Sequence, residues 1–402
     1  MTASVDVLIA GAGPAGIAAG LVLAEAGLAV RVVDRARFPR HKPCAEYLSP
    51  GTLAELQLLG LLDAVDRAGG APLHGTAVYG PRGARLLGSF ALAGHHPIRP
   101  TGLSLSRWRL DAALVRAARE RGVEILEGTA VEQLLYHHGA VAGAVLRREG
   151  ARTSCRARLV IGADGLHSVM ARTLGGRVHR GPRRMALVAH MGGISGLGGT
   201  AQMHVGHHEY VGINPLGDDL ANVAIVVPAN TIGADGGSPP TRFTQALERI
   251  GSAKGLLSHA RLAGTVRITG PFASRARRLV ADGAMLAGDA AEFYDPFTGE
   301  GIGTALHGGR LAALTAIEAL AAGQPATARR LQPYLAARRR AFLGKWLVER
   351  LIGWAVEAPA LFDRALDRLE RAGHSHTLVG VTGNFVPPRA ILNLRVLSAL
   401  VR

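Results

Sequence analysis

A glycine-rich turn near the start of the chain has residue types and spacing that indicate chemistry: residues 11–16 read Gly-Ala-Gly-Pro-Ala-Gly, the pattern G-x-G-x-x-G. An apolar run over 5–10 precedes the turn and a helix-forming run over 14–26 follows it, so the pattern stands between a predicted strand and a predicted helix. There the first glycine permits a tight turn, the second lets the backbone approach a pyrophosphate, and the third lets the helix pack on the strand. Asp34 closes the next apolar run, where a carboxylate accepts hydrogen bonds from an adenosine ribose. The turn predicts a dinucleotide site formed by Gly11, Gly13, Pro14, Ala15, Gly16, Asp34 and Arg35, and leaves FAD and NAD open.

Three later stretches share the property that an acidic residue stands beside small residues or opens a helix. Residues 107–111 read Arg-Trp-Arg-Leu-Asp, residues 162–168 read Gly-Ala-Asp-Gly-Leu-His-Ser, and residues 288–291 read Gly-Asp-Ala-Ala. The last of these is followed at 295–303 by Asp-Pro-Phe-Thr-Gly-Glu-Gly-Ile-Gly. These stretches resemble the R-x-x-L-D, D-G and G-D motifs of flavoprotein monooxygenases of the para-hydroxybenzoate hydroxylase type. With the glycine turn they follow the family's order from residue 11 to about 310, roughly three quarters of the chain.

The resemblance implies that FAD is the bound cofactor and that NAD(P)H, bound transiently, is its reductant. It places Asp289 against a ribityl hydroxyl, Arg107 at the pyrophosphate or flavin, and the helix opened by Gly299 and Gly301 at the pyrimidine end of the ring. Asp164 has two interpretations that stay open, a cofactor contact or the cap of a turn and helix. The added cofactor-binding residues are Arg107, Asp164, Gly288, Asp289, Gly299, Gly301 and Ile302.

Two branches of this superfamily differ in what they do with the reduced flavin. Residues 38–46, Phe-Pro-Arg-His-Lys-Pro-Cys-Ala-Glu, are similar to the geranylgeranyl reductase branch, which usually carries Y-x-W-x-F-P in its sheet lobe. This chain has Tyr210, but Gly212 and Asn214 stand where that pattern has Trp and Phe, and the W-x-W-x-I-P pattern of flavin halogenases is absent. We therefore expect an FAD-dependent monooxygenase that hydroxylates an apolar aromatic or polyketide-like molecule with O2 through a flavin C4a-hydroperoxide. The alternative is a geranylgeranyl-reductase-like enzyme that reduces prenyl double bonds.

The candidate catalytic residues are Pro296, His41 and Glu46. Pro296 has no N–H and a fixed φ, which suits a rigid wall beside the ring. His41 and Glu46 lie in the loop after the second strand and are either bases that ionise a phenol or solvated loop residues. Cys44 is expected to be a packed thiol beside the cofactor. No spacing of His, Cys, Asp or Glu indicates a metal site.

The elements that must position these residues alternate in type along the chain. Strand and helix signals alternate up to residue 180, short alternating strands dominate 181–263, and the tail from 325 is helical, with a last helix after Pro387-Pro388. The expected fold class is α/β: a Rossmann-type FAD-binding fold with an inserted antiparallel β-sheet substrate lobe and a helical C-terminal region. The predicted domains are an FAD-binding domain at 1–72, 101–180 and 264–324, a substrate lobe at 73–100 and 181–263, and a C-terminal region at 325–402.

The composition of the chain indicates its compartment and the kinds of molecule that it could bind. The chain has 402 residues, a net charge of +16 and only two cysteines, and no signal peptide is recognised, which favours a cytoplasmic protein without disulfides. Aromatic residues are 4% and the arginines are scattered, so we expect no nucleic-acid partner. The charge suits an anionic membrane surface or an acidic carrier protein, and a third hypothesis is a binding module of that kind on a vestigial flavin fold. The segment 338–350 is basic with apolar interruptions, typical of a membrane-surface helix or an ordinary amphipathic helix. The oligomeric state stays open.

Overall fold

The computed structural model describes residues 3–95, 98–217, 219–232, 237–393 and 396. The strands, in chain order, are β1 Ala3–Ala10, β2 Val30–Asp34, β3 Tyr47–Leu48, β4 Ala71–Leu73, β5 Gly75–Tyr79, β6 Arg85–Ser89, β7 Gly102–Ser104, β8 Glu124–Glu127, β9 Thr129–His137, β10 Ala140–Arg148, β11 Ala151–Gly162, β12 Arg177–His179, β13 Arg184–Gly192, β14 Thr200–Val205, β15 Tyr210–Gly217, β16 Leu220–Pro228, β17 Arg261–Leu262, β18 Arg267–Thr269, β19 Ser274–Ala276, β20 Val280–Ala281, β21 Ala284–Leu286 and β22 Glu292–Phe293. The helices are α1 Pro14–Glu25, α2 Pro50–Leu58, α3 Leu62–Arg67, α4 Arg107–Glu120, α5 Val169–Thr173, α6 Pro239–Arg249, α7 Lys254–Leu257, α8 Gly301–Leu320, α9 Ala328–Leu331, α10 Pro333–Val356, α11 Pro359–Arg371 and α12 Ser375–Thr382.

The first large sheet has a parallel core, in the order β21-β11-β1-β2-β8, and its central strands are continuous apolar runs because helices cover the sheet. Helices α1 and α8 pack closely together over this sheet. A Cβ built on Gly309 of α8 would lie 2.1 Å from the carbonyl oxygen of Ala15, so only glycine permits this approach. The contact brings the N-terminal glycine turn next to the segment around residue 288.

The second large sheet runs in the order β17-β13-β16-β15-β14-β5-β6, with β18 also paired to β13. Its neighbours are antiparallel except for β14 and β5, which pair in parallel because β5 comes from a much earlier part of the chain. Two small sheets, β3-β7-β4 and β12-β19-β22, lie outside the two large ones.

The C-terminal helices cover the edge of the second sheet at β6. Backbone N–H groups of this edge donate to side chains of α11 and α12: Ala84 and Arg82 to Asp363, Leu87 to Glu370, and Ser89 to His376 Nδ1 at 3.0 Å. Satisfying these groups closes an edge that would otherwise be open to pairing with another chain. It also places α11 and α12 over the sheet face, which creates the space described below.

The expected fold class is confirmed: a parallel Rossmann-type sheet, an antiparallel sheet and a helical C-terminal region are all present. Helix α2 ends at Leu58, because Gly60 follows with φ +62°, and α3 begins separately at Leu62. The last helix expected after Pro387-Pro388 is a 3-10 turn at Pro388–Ala390, and most of the residues beyond 393 lie outside the described part of the chain. The domain limits remain a proposal; by pairing, β18 belongs with the second sheet although it follows the predicted limit at 264. Among the described residues no helix is long and apolar enough to cross a bilayer.

Candidate active site

The glycine turn has the geometry that its pattern predicts. Gly11 has φ +104°, and a Cβ there would lie 2.4 Å from the carbonyl oxygen of Ala163, while a Cβ on Gly16 would lie 1.8 Å from the carbonyl oxygen of Gly11. These two positions are closed by backbone. Gly13 differs, because a Cβ there would meet only Arg40 Nη2, at 3.9 Å. The open side of Gly13 at the start of α1 is the place for a pyrophosphate.

Asp34 ends β2 beside this turn. Its Oδ2 accepts the N–H of Ala12 and its Oδ1 the N–H of Ala36, both at 2.8 Å. A carboxylate has about four acceptor positions, so two further hydrogen bonds, such as those of a ribose, fit the same group. Arg35 follows and is exposed at the rim.

The second motif lies against the first. A Cβ built on Gly288, whose φ is +58°, would lie 2.9 Å from the Cβ of Ala15, and Pro14 and Asp289 line the same cavity. Arg177 holds this segment by donating to the carbonyl oxygens of Asp289 at 3.0 Å and Ala290 at 2.7 Å. Two motifs more than 270 residues apart in sequence therefore meet at one site.

A group of cations faces the glycine turn. Lys42 Nζ lies 3.7 Å from Asp289 Oδ2, and Arg40 Nη1 lies 3.0 Å from the buried Asp111. Arg107 donates to both oxygens of Asp111, at 2.9 and 2.8 Å. Burial lowers the pKa of Arg40 and of Lys42, and the neighbouring positive charge of Arg107 lowers both further. Two phosphate charges at Gly13 would relieve this crowding of positive charge.

The structure shows a capping geometry for Asp164. Its Oδ2 accepts the N–H of Val169 at 2.7 Å and of Met170 at 3.4 Å, at the start of α5. Burial raises the pKa of this carboxyl, and its Oδ1 has no hydrogen-bond partner although it is buried. The cap is therefore present, and Oδ1 remains available to a donor from a bound molecule, so both interpretations of Asp164 are compatible with one conformation.

Pro296 is held in place by a buried polar network around Asp295. Asp295 Oδ1 accepts the hydroxyl of Tyr210 at 2.5 Å and the N–H of Phe297 at 3.0 Å, and Oδ2 accepts Arg184 Nη1 at 2.9 Å. Arg184 is also paired with Glu357. Because Tyr210 and Arg184 belong to the second sheet and Glu357 to the C-terminal region, the network fixes the Pro296 loop relative to the second sheet.

Two adjoining cavities meet at this loop. The first, which we call the flavin cavity, has an empty volume of about 980 Å³ and is lined by Pro14, Lys42, Asp289 and Ile302, among others. The second, the apolar cavity, has an empty volume of about 810 Å³ and extends between β5, β14 and the helices α10–α12. The residues common to both walls are Ala45, Met203, Gly212, Pro296 and Gly299.

Gly212 lies in the wall that the two cavities share. A Cβ on Gly212 would meet only Met203 Cε, at 3.5 Å, so no bulky side chain of its own fills this part of the wall. Tyr210, two residues earlier, is fully buried and lines the flavin cavity, and Asn214 donates to the carbonyl oxygen of Ala45 at 2.8 Å. The departure from Y-x-W-x-F-P thus removes a large side chain from the shared wall and leaves the strand intact.

His41 and Glu46 line neither of these cavities. Both border a smaller space with His190 and Asn222. Glu46 Oε1 accepts the N–H of Arg107 at 2.7 Å, and its Oε2 lies 2.7 Å from His190 Nε2 and 3.0 Å from Asn222 Nδ2. Glu46 is buried with φ +58°, an uncommon conformation for a residue other than glycine. The contacts of Glu46 join the loop after β2 to α4 and to the second sheet, so Glu46 positions these three segments. His41 is exposed, and its ring packs against Trp108.

Glu300, which precedes α8 between Gly299 and Gly301, is buried and only partly satisfied. Thr52 Oγ1 donates to its Oε2 at 3.3 Å, and its Oε1 has no hydrogen-bond partner. Burial raises the pKa of Glu300 to about 7. Sequence reasoning named its neighbours and passed over Glu300, as it passed over Arg40 and Lys42. Glu300 could have been found from its place between the two glycines of the motif at 295–303. Arg40 and Lys42 could have been found as basic residues just before Pro43.

The residues present fit FAD. Gly13 is open where a diphosphate needs backbone approach, Arg40 lies beside it, and the buried Asp164 Oδ1 lacks a donor. A family model described as FAD binding domain matches residues 4–344. The chain belongs to this family, the FAD-binding flavoproteins of the para-hydroxybenzoate hydroxylase type. It is an FAD-dependent oxidoreductase.

Relatives place this flavoprotein near the geranylgeranyl reductase branch, as residues 38–46 predicted. It is 32% identical over 346 residues to a digeranylgeranylglycerophospholipid reductase of Methanoculleus marisnigri, covering 84% of this chain and 83% of that one. It is 31% identical over 326 residues to a menaquinone reductase of Mycolicibacterium smegmatis, covering 78% and 76%. A geranylgeranyl bacteriochlorophyll reductase-like structure from Thermoplasma acidophilum superposes with a TM-score of 0.82 at 24% identity, over 100% of this chain and 99% of that one. Flavin-dependent halogenases also occur among the structural neighbours. The expected hydroxylation has less support from these relatives than the alternative, prenyl reduction.

Proposed function

We propose that this flavoprotein reduces carbon–carbon double bonds in a long isoprenoid chain, such as that of a prenylated lipid. The observation that carries the proposal is the apolar cavity, which adjoins the flavin cavity and shares Pro296, Gly299 and Gly212 with its wall. A long chain lying in it reaches the flavin cavity with one segment while the rest is buried. The names of the relatives favour the same class of substrate.

The walls of the apolar cavity suit a flexible hydrocarbon. They include Val78, Leu86, Ile352, Phe362, Leu366 and Val379. The few polar groups of the wall, such as Gln202, Thr298 and Thr382, lie among apolar side chains, so the wall aligns a chain without demanding a particular polar pattern.

When bound and reduced, FAD supplies a hydride equivalent to one carbon of the double bond. The chain's own residues hold the ring site and exclude water from it. The Asp295 network keeps Pro296 rigid at the shared wall, and the side chains of Met203 and Phe293 close the flavin cavity with apolar surface. Excluding water protects a reduced cofactor from side reactions.

The second carbon of the double bond needs a proton. Among the groups that line the flavin cavity, Tyr210 donates its hydroxyl to Asp295 and Lys42 is paired with Asp289. Cys44 lines the same cavity and its Sγ accepts the N–H of Glu46 at 3.4 Å, so its thiol is a further proton donor in this wall. We assign the proton at Cys44 Sγ to this step, with NAD(P)H proposed as the source of electrons.

The test is an anaerobic turnover of a phospholipid with geranylgeranyl chains, followed by mass spectrometry of the product. We expect the substrate to gain two hydrogen atoms per reduced double bond, without O2, with dithionite or NAD(P)H as the electron source. Cys44→Ala should slow this reduction while the protein still binds FAD. Turnover that requires O2 and adds an oxygen atom would contradict the proposal and restore the hydroxylation hypothesis.

A further inference from the structure

The outer face of helix α10 carries a continuous row of exposed apolar side chains. Leu343, Leu347, Leu351 and Trp354 are 43%, 45%, 48% and 68% exposed. Their spacing of three or four residues places them on one side of the helix. Leu361, at the start of α11, is 55% exposed and extends the row across the turn between the helices. Exposed rows of this kind on a soluble surface mark an interaction site.

The same face is positively charged. Arg339, Arg340 and Arg350 are exposed beside the leucines, and none of them takes part in an ion pair among the described residues. Helix α10 is described along its whole length, and its one acidic residue, Glu349, is buried and paired with Lys345. The acid that follows the helix, Glu357, is paired with Arg184 and His208.

Charge complementarity points to an anionic surface as the occupant. Leucine and tryptophan side chains enter the headgroup region of a bilayer, while arginines at the border extend towards lipid phosphates. A second copy of this chain, docked through the same face, would bring two sets of unpaired arginines together, which disfavours a symmetric dimer. The net charge of +16 attracts the whole molecule to the same surface.

The row lies on the outer side of the wall of the apolar cavity. Ile352 lies between the exposed Leu351 and Trp354 in sequence and lines the cavity, and Phe362 lines it next to the exposed Leu361. The same helical turns therefore present one side to solvent and the other to the cavity. A bilayer at the outer side would lie one helix away from the cavity.

We propose that the row formed by Leu343, Leu347, Leu351, Trp354 and Leu361, with Arg339, Arg340 and Arg350, is a docking surface for an anionic phospholipid bilayer. Docking holds α10 and α11 in the interface and presents the apolar cavity to the membrane. The docking surface is inferred from exposure and charge alone. Only the passage of a lipid chain from the bilayer to the cavity rests on the proposed function.

The test is co-sedimentation of the FAD-loaded protein with vesicles of phosphatidylglycerol, which has no prenyl chain and is not a substrate under the proposed function. We expect binding that falls with added salt, and weak binding to phosphatidylcholine. The double variant Leu347→Glu/Leu351→Glu should lower the partition coefficient at least about 100-fold, since it places charge in the apolar region. Arg339→Ser/Arg340→Ser should lower it about 25-fold, from about 1 kcal/mol for each cation near the surface.

The matched control is Leu58→Glu. This leucine is 71% exposed and lies on α2, outside the row on α10 and α11. This variant should bind vesicles as the parent chain does, and all variants should keep stoichiometric FAD, which reports folding. Equal vesicle binding by the Leu347→Glu/Leu351→Glu variant would overturn the proposal. So would a dimer of the parent chain that this variant converts to monomer, because the row would then be an interface between copies. Neither outcome depends on whether prenyl reduction is observed.

Discussion

The flavin cavity and the apolar cavity share a wall, but they are built from different kinds of contact. Around the flavin cavity, backbone atoms decide the shape: Gly11 and Gly16 are closed by carbonyl oxygens, and Gly13 alone is open. Around the apolar cavity, side chains such as Val78, Ile352 and Val379 decide it. A site set by backbone needs particular residues at fixed spacing, whereas a site set by apolar side chains accepts many combinations of similar volume. The glycine turn next to the flavin cavity is therefore a sequence motif, whereas the apolar side chains around the apolar cavity follow no motif.

The largest expected effect is a difference between Gly13 and Gly11, two glycines of the same turn. Gly13→Ala should leave the fold intact, because its Cβ would meet only Arg40 Nη2 at 3.9 Å, yet it blocks the pyrophosphate and should weaken FAD binding by about 100-fold or more. Gly11→Ala should instead destabilise the protein by about 3 kcal/mol or more, since its φ is +104° and its Cβ would overlap the carbonyl oxygen of Ala163. FAD titration and denaturant unfolding of the two variants check this. Similar behaviour of both would mean that Gly13 has no special place at the cofactor.

The next effect concerns the wall that the two cavities share. Gly212→Glu should place a charged group in this wall beside Met203 and lower turnover of a long prenyl substrate by about 100-fold, because a hydrocarbon chain is disfavoured next to a buried carboxyl. Gly212→Ala is the matched control, because its Cβ would make an ordinary contact of 3.5 Å with Met203 Cε. Steady-state turnover compares the variants, and flavin fluorescence checks that FAD is bound. Undiminished turnover by the Glu variant would show that substrate does not pass this wall.

A pH-dependent effect tests the buried carboxyl between the cavities. Because the pKa of Glu300 is raised to about 7, the folded protein holds this proton more tightly than the unfolded chain, whose value is near 4.5. The contribution of Glu300 to the free energy of unfolding is therefore full below about pH 4.5 and is lost as the pH rises to about 7. Glu300→Gln should match the parent chain near pH 4.5 and exceed its stability by up to about 3 kcal/mol near pH 8. Denaturant unfolding at both pH values measures this, and an equal difference at both would contradict the assignment.

The smallest effect concerns the network that joins the two cavities. Tyr210→Phe removes the hydroxyl that donates to Asp295 Oδ1 at 2.5 Å and should cost about 2 kcal/mol, as for a hydrogen bond to a charged group. Tyr136→Phe on β9 is the matched control, because that side chain is 54% exposed and removing its hydroxyl should change stability little. We expect Tyr210→Phe to loosen the Pro296 loop as well, so limited proteolysis near residue 296 should speed up. Unchanged stability would mean that Arg184 and Phe297 hold Asp295 without Tyr210.

Most of the fold was predictable because its signals are local. The runs that became β1, α1 and β2 are continuous in sequence, and hydrophobic periodicity reports them directly. The group that satisfies the carbonyl oxygen of Leu59 at the end of α2 was not predictable, since Arg121, just after α4, donates to it from 62 residues further along the chain. The same limit applies to Glu46, whose type and loop position favoured a base but whose two oxygens are held by groups from α4 and the second sheet.

From its residues alone the sequence predicted a dinucleotide turn on a parallel sheet, because G-x-G-x-x-G acts through short, local geometry, and its resemblance to a known family predicted FAD and the branch. Only the tertiary structure decided that Gly212 leaves the shared cavity wall without a large side chain and that the carboxylate of Glu46 is held by α4 and the second sheet. It also decided that the leucines of α10 lie on the outer side of the cavity wall. The physical reason is that each of these properties depends on atoms distant in sequence, and burial or exposure arises only when the two sheets and the C-terminal helices pack together.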